Sequence, residues 1–261
     1  FPQWAVDVGL IKKNWPIHIF FKIFERINYR AASYIGLESL SDLKQFQTKF
    51  PKYNSDILFN WASEKKFPEK KYSLRNKYNL NNKIIFFYGG NIGIAQDIPN
   101  ILNLAKKLYI FDEIKFILLG DGSEYQKISD QIKSENIRNV ILLEGVNQEV
   151  YLDYLSEIDV GLISLDKNNK GNNIPGKLLN YMRLKKPILG SINPNNDIAQ
   201  LINQSGAGLI SLNGDSDAFL RDAKEMLRLD RRSFFSENSL KLIQNNFSLN
   251  NALNKILSKI E

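Results

Sequence analysis

The sequence predicts an α/β protein built on a doubly wound parallel sheet. Three observations carry this. Six short apolar runs recur from about Lys83 onward, at 84–88, 115–119, 140–143, 158–165, 187–190 and 208–211. Most are solid Ile, Leu, Val and Phe without alternation, as strands covered on both faces require. Between them lie polar turns and segments of helical period, so strands alternate with helices.

Taken in order, residues 1–60 read differently from the rest. The spacing predicts a helix over 16–32, with Phe20, Phe21, Ile23, Phe24 and Ile27 as its apolar residues and Lys22, Arg26 and Arg30 between them. A strand-like piece at 33–37, a helix near 41–50 and an apolar run at 57–61 follow. This is too little to close a domain, so 1–62 reads as the end of a preceding domain, with Lys-rich 63–78 as a linker. Residues 63–246 form the α/β domain. Its helices place Ile98, Ile101, Leu102, Ala105 and Leu108 on one face, Leu152 and Leu155 (with Val150 and Tyr151) on another, and Leu178, Leu179 and Met182 on a third. Residues 247–261 form a last helix, apolar at Leu253, Ile256 and Ile260, expected to pack back on the first segment.

Composition bounds the chemistry. The 261 residues are 43% hydrophobic and 24% charged, which suits a globular protein with a sizeable core. Without Cys there is no disulfide framework and no thiolate metal site; one histidine, His18, excludes a multi-His metal site. His18 lies among Trp15, Ile17, Ile19 and Phe20 and reads as a packing or surface residue. No apolar run reaches the ~18 residues of a spanning helix. The chain opens at Phe1 without a basic-then-apolar leader and reads as a piece of a longer protein, not as a signal peptide. Net charge is +7, with a pI near 9.3. The lysines are spread, and no nucleic-acid motif accompanies them, so nucleic acid is not an expected partner.

In a doubly wound sheet ligands bind at the carboxyl ends of the strands. The first strand is followed by Tyr88-Gly89-Gly90-Asn91-Ile92-Gly93, where glycines allow positive φ and close backbone approach to a ligand. An ordinary strand–helix turn is the alternative, and a lone glycine turn does not decide. The second strand is followed by Gly120-Asp121-Gly122-Ser123-Glu124, which suits a tight turn with Ser123 as helix N-cap. The third ends in Glu144-Gly145-Val146, whose backbone could read a flat base edge. The fourth leads through an Asn-rich loop into GNNIPGKLLNYMRLKKPIL at 171–189. There Pro175 suits a first helical turn, and Gly176 and Lys177 present free N–H groups and a cation. A diphosphate site and a surface lysine at a capped helix start both fit.

These five stretches together, in this order and spacing over 88–212, resemble the group 1, or family 4, retaining glycosyltransferases of the GT-B fold. The similarity is strongest to bacterial O-antigen and capsule transferases, including L-fucosamine transferase-like members. It implies a Rossmann-like C-terminal donor domain preceded by the tail of an acceptor domain, with Phe1 to Asp7 and Asn60-Trp61-Ala62 matching late acceptor-domain segments. It implies a nucleotide diphosphate sugar donor, UDP-linked, and a lipid-linked or saccharide acceptor. Lys177 and Asn172 would be the catalytic pair. Donor contacts would come from Gly90, Asn91, Gly93, Gly120, Gly122, Gly145, Val146, Asn173, Ile174, Pro175, Gly176, Leu178 and Asn180. No metal or other cofactor is expected. The family's two acidic positions fall at Asn172 and Asn180, and the basic residues of its first glycine loop at Asn91 and Gln96, so charge passes to Lys177 and backbone amides. The expected location is the cytoplasm, with the basic first helix suited either to ordinary packing or to the inner face of an anionic membrane. A nucleotide-sugar-binding module without turnover and a nucleotide-sugar 2-epimerase of the same architecture are the rival functions. The sugar, the acceptor and the oligomeric state are not specified.

Overall fold

The computed structural model of the chain describes residues 6, 11–62, 69–169, 172 and 174–260. Two compact units emerge: Phe1–Phe59 with Ala252–Glu261, and Asn60–Asn251.

The first unit contains α1 (Pro16–Ala31), β1 (Ile35–Leu37), α2 (Leu40–Lys49) and β2 (Ser55–Ile57). Pro16 sits in the first turn of α1, where its missing N–H has no helical partner to lose. Ser39 caps α2 by accepting from the Asp42 N–H at 3.0 Å. β1 and β2 pair in parallel, Ile35 opposite Ser55. Tyr29 of α1 meets Phe46 and Phe50 with ring centroids 5.1 and 5.4 Å apart. The Lys255 and Lys259 ammonium groups lie 3.3 and 3.6 Å from the Asp56 carboxylate. Phe20, Ile23, Phe24 and Ile27 are exposed, whereas His18 is buried and accepts from the Asn14 N–H at 3.0 Å. The matches proposed for Phe1 to Asp7 fall outside the described residues, Val6 apart.

The second unit opens with a correction to the linker reading. Residues 63–68 lie outside the described set, but Ser73 caps a short helix, α3 (Leu74–Lys77), and Leu74 is fully buried. The segment is tied down. Lys71 and Tyr72 N–H groups donate to Asp153 at 2.9 and 3.0 Å. Glu157 accepts from the Arg75 N–H at 2.8 Å and the Ser73 hydroxyl at 2.9 Å, and pairs with Lys70. The Arg75 guanidinium donates to Asp159 at 2.7 Å and to the Leu80 and Lys83 carbonyls at 2.8 and 2.9 Å.

Six parallel strands follow: β3 (Ile84–Gly89), β4 (Ile114–Leu119), β5 (Val140–Leu143), β6 (Val160–Ser164), β7 (Ile188–Ile192) and β8 (Gly208–Leu212). Their order is β5-β4-β3-β6-β7-β8. The connecting elements are α4 (Ile98–Lys107), α5 (Tyr125–Ser134), α6 (Gln148–Ser156), α7 (Lys177–Arg183), α8 (Asp197–Ser205) and α9 (Ser216–Glu225). Two further helices, α10 (Leu229–Asn246) and α11 (Leu249–Ile260), complete the chain. Every strand matches a predicted apolar run to within two or three residues. The Phe86 and Phe116 rings stack 5.1 Å apart in the central core, each fully buried and each contributing about 1.5–3 kcal/mol by leaving water. Ile98, Ile101, Leu102 and Ala105 of α4 are buried as their period requires. On α6 the inward residues are Asp153, Tyr154 and Leu155, with Leu152 only half-buried. On α11 Ala252 is buried and Ile256 half-buried, as expected of Ile256, whereas Leu253 is exposed.

Register positions the site. Gly89 is level with Leu119, and Leu119 with Leu143. The loops after β3, β4 and β5 therefore leave the sheet side by side, next to the point where strand order reverses between β3 and β6. In open α/β sheets that is where a ligand crevice forms.

Candidate functional site

The first two strand-end loops are interlocked. The Gly90 N–H donates to Leu119 O at 2.9 Å, the Ile92 N–H to Asp121 O at 2.8 Å and the Glu124 N–H to Ile92 O at 2.9 Å. Gly90 and Gly120 have φ of +135° and +152°, a region L side chains rarely adopt. A Cβ on Gly120 would also lie 1.8 Å from the Gly90 carbonyl oxygen. Gly93 differs from the expectation: its φ of −128° is ordinary, and a Cβ there would lie 2.7 Å from the end of the Asn91 side chain, which would have to shift. Asn91 in turn donates to Gln96 at 2.7 Å, and Tyr88 donates to Asn91 O at 2.6 Å. Helix α5 begins at Tyr125 with Glu124 before it and no side-chain cap, so Ser123 is not the N-cap.

A cleft of about 640 Å³ opens above these loops, within the size range of small-molecule sites. The structure brings together seven of the sequence-predicted residues along its wall: Gly90, Asn91, Gly120, Gly145, Val146, Lys177 and Asn180. Gly89, Leu119, Asp121, Gln148 and Tyr151 complete the lining. Gly93, Gly122, Asn172, Ile174, Pro175, Gly176 and Leu178 lie outside it. Leu178 is fully buried and Ile174 nearly so; their side chains serve the core. Pro175 stands two residues before α7 rather than in its first turn, its carbonyl accepting from the Leu178 N–H at 2.9 Å. Asn173 is outside the described residues.

Lys177 is the cation of the cleft. Its ammonium lies 3.5 Å from the centroid of the Tyr88 ring, a cation–π contact, and 3.2 Å from where a Cβ on Gly90 would be. Among the described residues no carboxylate pairs with it. Burial lowers its pKa from 10.5 to about 7, because desolvation penalises the charged form. Beneath it the fully buried Tyr181 hydroxyl faces Phe87 O at 3.2 Å and Leu162 O at 3.3 Å, which anchors α7 to the sheet. Burial also raises the Tyr151 phenol to about 12 and Tyr88 and Tyr181 upward, so all three stay neutral near pH 7. Glycine is required at Gly89 by crowding, since a Cβ would fall 2.6 Å from the Tyr151 ring.

Tyr88 and Tyr151 were legible only in part. Tyr88 closes the first strand, and Tyr151 stands in the first turn of the helix after Val146, where helix starts face the strand ends. Asn147 caps that helix through the Val150 N–H at 3.0 Å. The arrangement offers an aromatic and glycine wall, neutral amides, the Asp121 carboxylate at the end of β4 and one cation without a carboxylate partner among the described residues. It suits an anionic ligand with a flat or hydroxylated body. Among the described residues no group of three or more His, Asp or Glu side chains is placed to hold a metal ion.

The family model described as "Glycosyl transferases group 1" matches residues 70–246. The chain is 24% identical over 241 residues to the "Probable glycosyltransferase WbjE" of Pseudomonas aeruginosa, covering 89% of this chain and 59% of that protein. It is similar in structure to Anabaena HepE in complex with UDP, at 13% identity and a TM-score of 0.72, over 90% of this chain and 65% of that one. It is also similar to a variant of S. aureus TarM crystallised with UDP, alpha-GlcNAc-glycerol and Fondaparinux, at 15% identity and a TM-score of 0.68, over 89% of this chain and 44% of that one. The chain thus spans less than two thirds of the length of each.

Proposed function

Because the chain belongs to the group 1 glycosyl transferases, whose fold is GT-B, we propose that its cleft holds a nucleotide diphosphate sugar, UDP-linked, for transfer of the sugar with retention at the anomeric carbon. The observation that carries this is Lys177: an ammonium without a carboxylate partner, in a cleft at the strand-order reversal. The diphosphate sits at Lys177 and the backbone of Gly90 and Gly120. The base lies against Gly145 and Val146, and Asn180 meets the ribose hydroxyls as donor and acceptor. Asn172 is proposed for the donor sugar. UDP in the HepE and TarM structures supports the choice of nucleotide.

As the bond from the anomeric carbon to the diphosphate oxygen breaks, negative charge grows on that oxygen. A protonated Lys177 stabilises it more in the transition state than in the ground state, which is the condition for acceleration. With Lys177 taking the charge, donor binding proceeds without a divalent cation, and EDTA should leave affinity unchanged. The acceptor is a lipid-linked or free saccharide of surface-polysaccharide synthesis, O-antigen or capsule, reached at the inner face of the membrane. This last step rests on the motif resemblance to O-antigen and capsule transferases. A second reading, donor binding without turnover, draws on the neutral Asn172 and Asn180.

The test is a titration of the chain with UDP and UDP-sugars. Saturable binding below about 1 mM, weakened by Lys177→Ala by roughly ten- to a hundredfold as expected for a charge-assisted contact, supports the assignment. No binding at millimolar UDP, or unchanged affinity in the variant, refutes it. Release of the sugar by the longer protein separates transferase from binding module.

A further inference from the structure

One charge in the cleft has no task in the donor reading. Among the described residues that line it, Lys177 is the one cation and Asp121 the one carboxylate. They stand on different walls, Lys177 at the start of α7 and Asp121 just past the end of β4. Among the described residues neither pairs with an opposite charge. The fold holds Asp121 in place from three sides. Gly120 and Gly122 flank it with φ of +152° and +154°, a path that L side chains rarely follow. The Asp121 carbonyl accepts from the Ile92 N–H at 2.8 Å. Its carboxylate lies against Gly145, where a Cβ would fall 2.0 Å from Oδ2. The carboxylate therefore fronts the end of β5, and among the described residues no donor is bonded to it.

A carboxylate can only accept hydrogen bonds. In a cleft that takes a diphosphate it repels the ligand unless the ligand brings it a donor. A nucleoside brings such donors, the ribose hydroxyls and the N3–H of uracil. We propose that Asp121 is a specificity residue of the donor site: its carboxylate accepts a hydrogen bond from the nucleoside half of the ligand, while Lys177 takes the diphosphate. The proposal deepens the donor reading and rests on it. Its placement has a physical parallel. Dinucleotide-binding α/β sheets hold ribose hydroxyls with an acid downstream of the first glycine turn, and Asp121 follows the strand paired with β3, whose glycine turn it faces. The two separated charges also fix which way the ligand lies, since the reverse orientation sets a diphosphate against a carboxylate.

The experiment is calorimetric titration of the 261-residue chain and of Asp121→Ala with UDP, 2′,3′-dideoxy-UDP, N3-methyl-UDP and inorganic diphosphate. Asp121→Ala should bind UDP roughly ten- to a hundredfold more weakly, as loss of a charge-assisted hydrogen bond implies. It should bind inorganic diphosphate at least as tightly as wild type, because repulsion is removed and no contact is lost. Wild type should bind one analogue more weakly than UDP by a similar factor: the dideoxy compound where the ribose supplies the donor, the N3-methyl compound where the base does. That gap should close in Asp121→Ala. The side chain is exposed, so circular dichroism should match wild type. Unchanged UDP affinity in the variant overturns the proposal. So does the absence of any analogue gap that the variant closes. An equal loss for UDP and inorganic diphosphate marks a structural role and overturns it too. Wild type that binds no UDP at millimolar concentration overturns the donor reading and this proposal together, whereas an unaltered Asp121→Ala overturns this proposal alone.

Discussion

Binding of a UDP-sugar should take up a proton, and its affinity should therefore fall as pH rises. In the free protein burial holds the Lys177 pKa near 7, against an ordinary 10.5. A diphosphate beside the ammonium favours the charged form and restores the higher value. The complex thus binds more protons than the free protein between those limits, and affinity is lost through that window as pH rises. With a free-state value of about 7, the protonated fraction is about 0.76 at pH 6.5 and about 0.03 at pH 8.5. The dissociation constant should rise about 25-fold across those two pH units, or about 1.9 kcal/mol. The assay is isothermal calorimetry with UDP-glucose, whose diphosphate diester keeps its charge over this range; buffers of different ionisation heat count the proton directly. Tyr88, Tyr151 and Tyr181 stay neutral throughout, since burial raises all three. Lys177→Arg should flatten the slope, because guanidinium keeps its proton, and Lys177→Met should remove it along with most of the affinity. A flat wild-type profile, or a slope that survives in Lys177→Met, refutes the assignment of the proton to this residue.

Two further outcomes follow from packing. Gly120→Ala should destabilise the chain by about 2 kcal/mol or more, through strain at positive φ and collision with the Gly90 carbonyl, visible as a lower urea midpoint and lost UDP binding. Arg75→Ala should lower stability by roughly 1–3 kcal/mol, because it strips the guanidinium from Asp159 and from the Leu80 and Lys83 carbonyls, leaving Asp159 only the Ile85 N–H and Leu80 only the Lys83 N–H. A thermal melt within one degree of wild type would contradict that.

The sheet was readable from sequence because a doubly covered strand must be apolar at every position, and residues 84–88 have no other use. The strand-end rule then pointed to Gly90, Gly120, Val146 and Lys177. What stayed hidden needed distant partners. Lys-rich 63–78 looks like a linker by composition; Arg75 becomes structural only when Asp159, 84 residues on, is placed beside it. The depressed pKa of Lys177 comes from burial that only the folded cleft supplies. Period alone also left the covered face of α1 unassigned and misplaced Leu253 on α11, since an apolar stripe says that a helix has two faces and not which one the protein covers. On α7 the apolar period located Leu178 correctly, but family likeness alone had placed it at the ligand.

The interlocked turns after β3 and β4 set a rule for anyone rebuilding this pocket. With the Gly90 carbonyl filling the space a Gly120 side chain would need, and Ile92 bonded on both sides to 121 and 124, neither turn is an independent module. A chimera that exchanges 89–93 without 119–124 would join halves of two different fittings. Shuffling for new donors should move both turns as a single cassette and confine diversity to Gln148 and Tyr151 of α6 and Asn180 of α7, which border the same space.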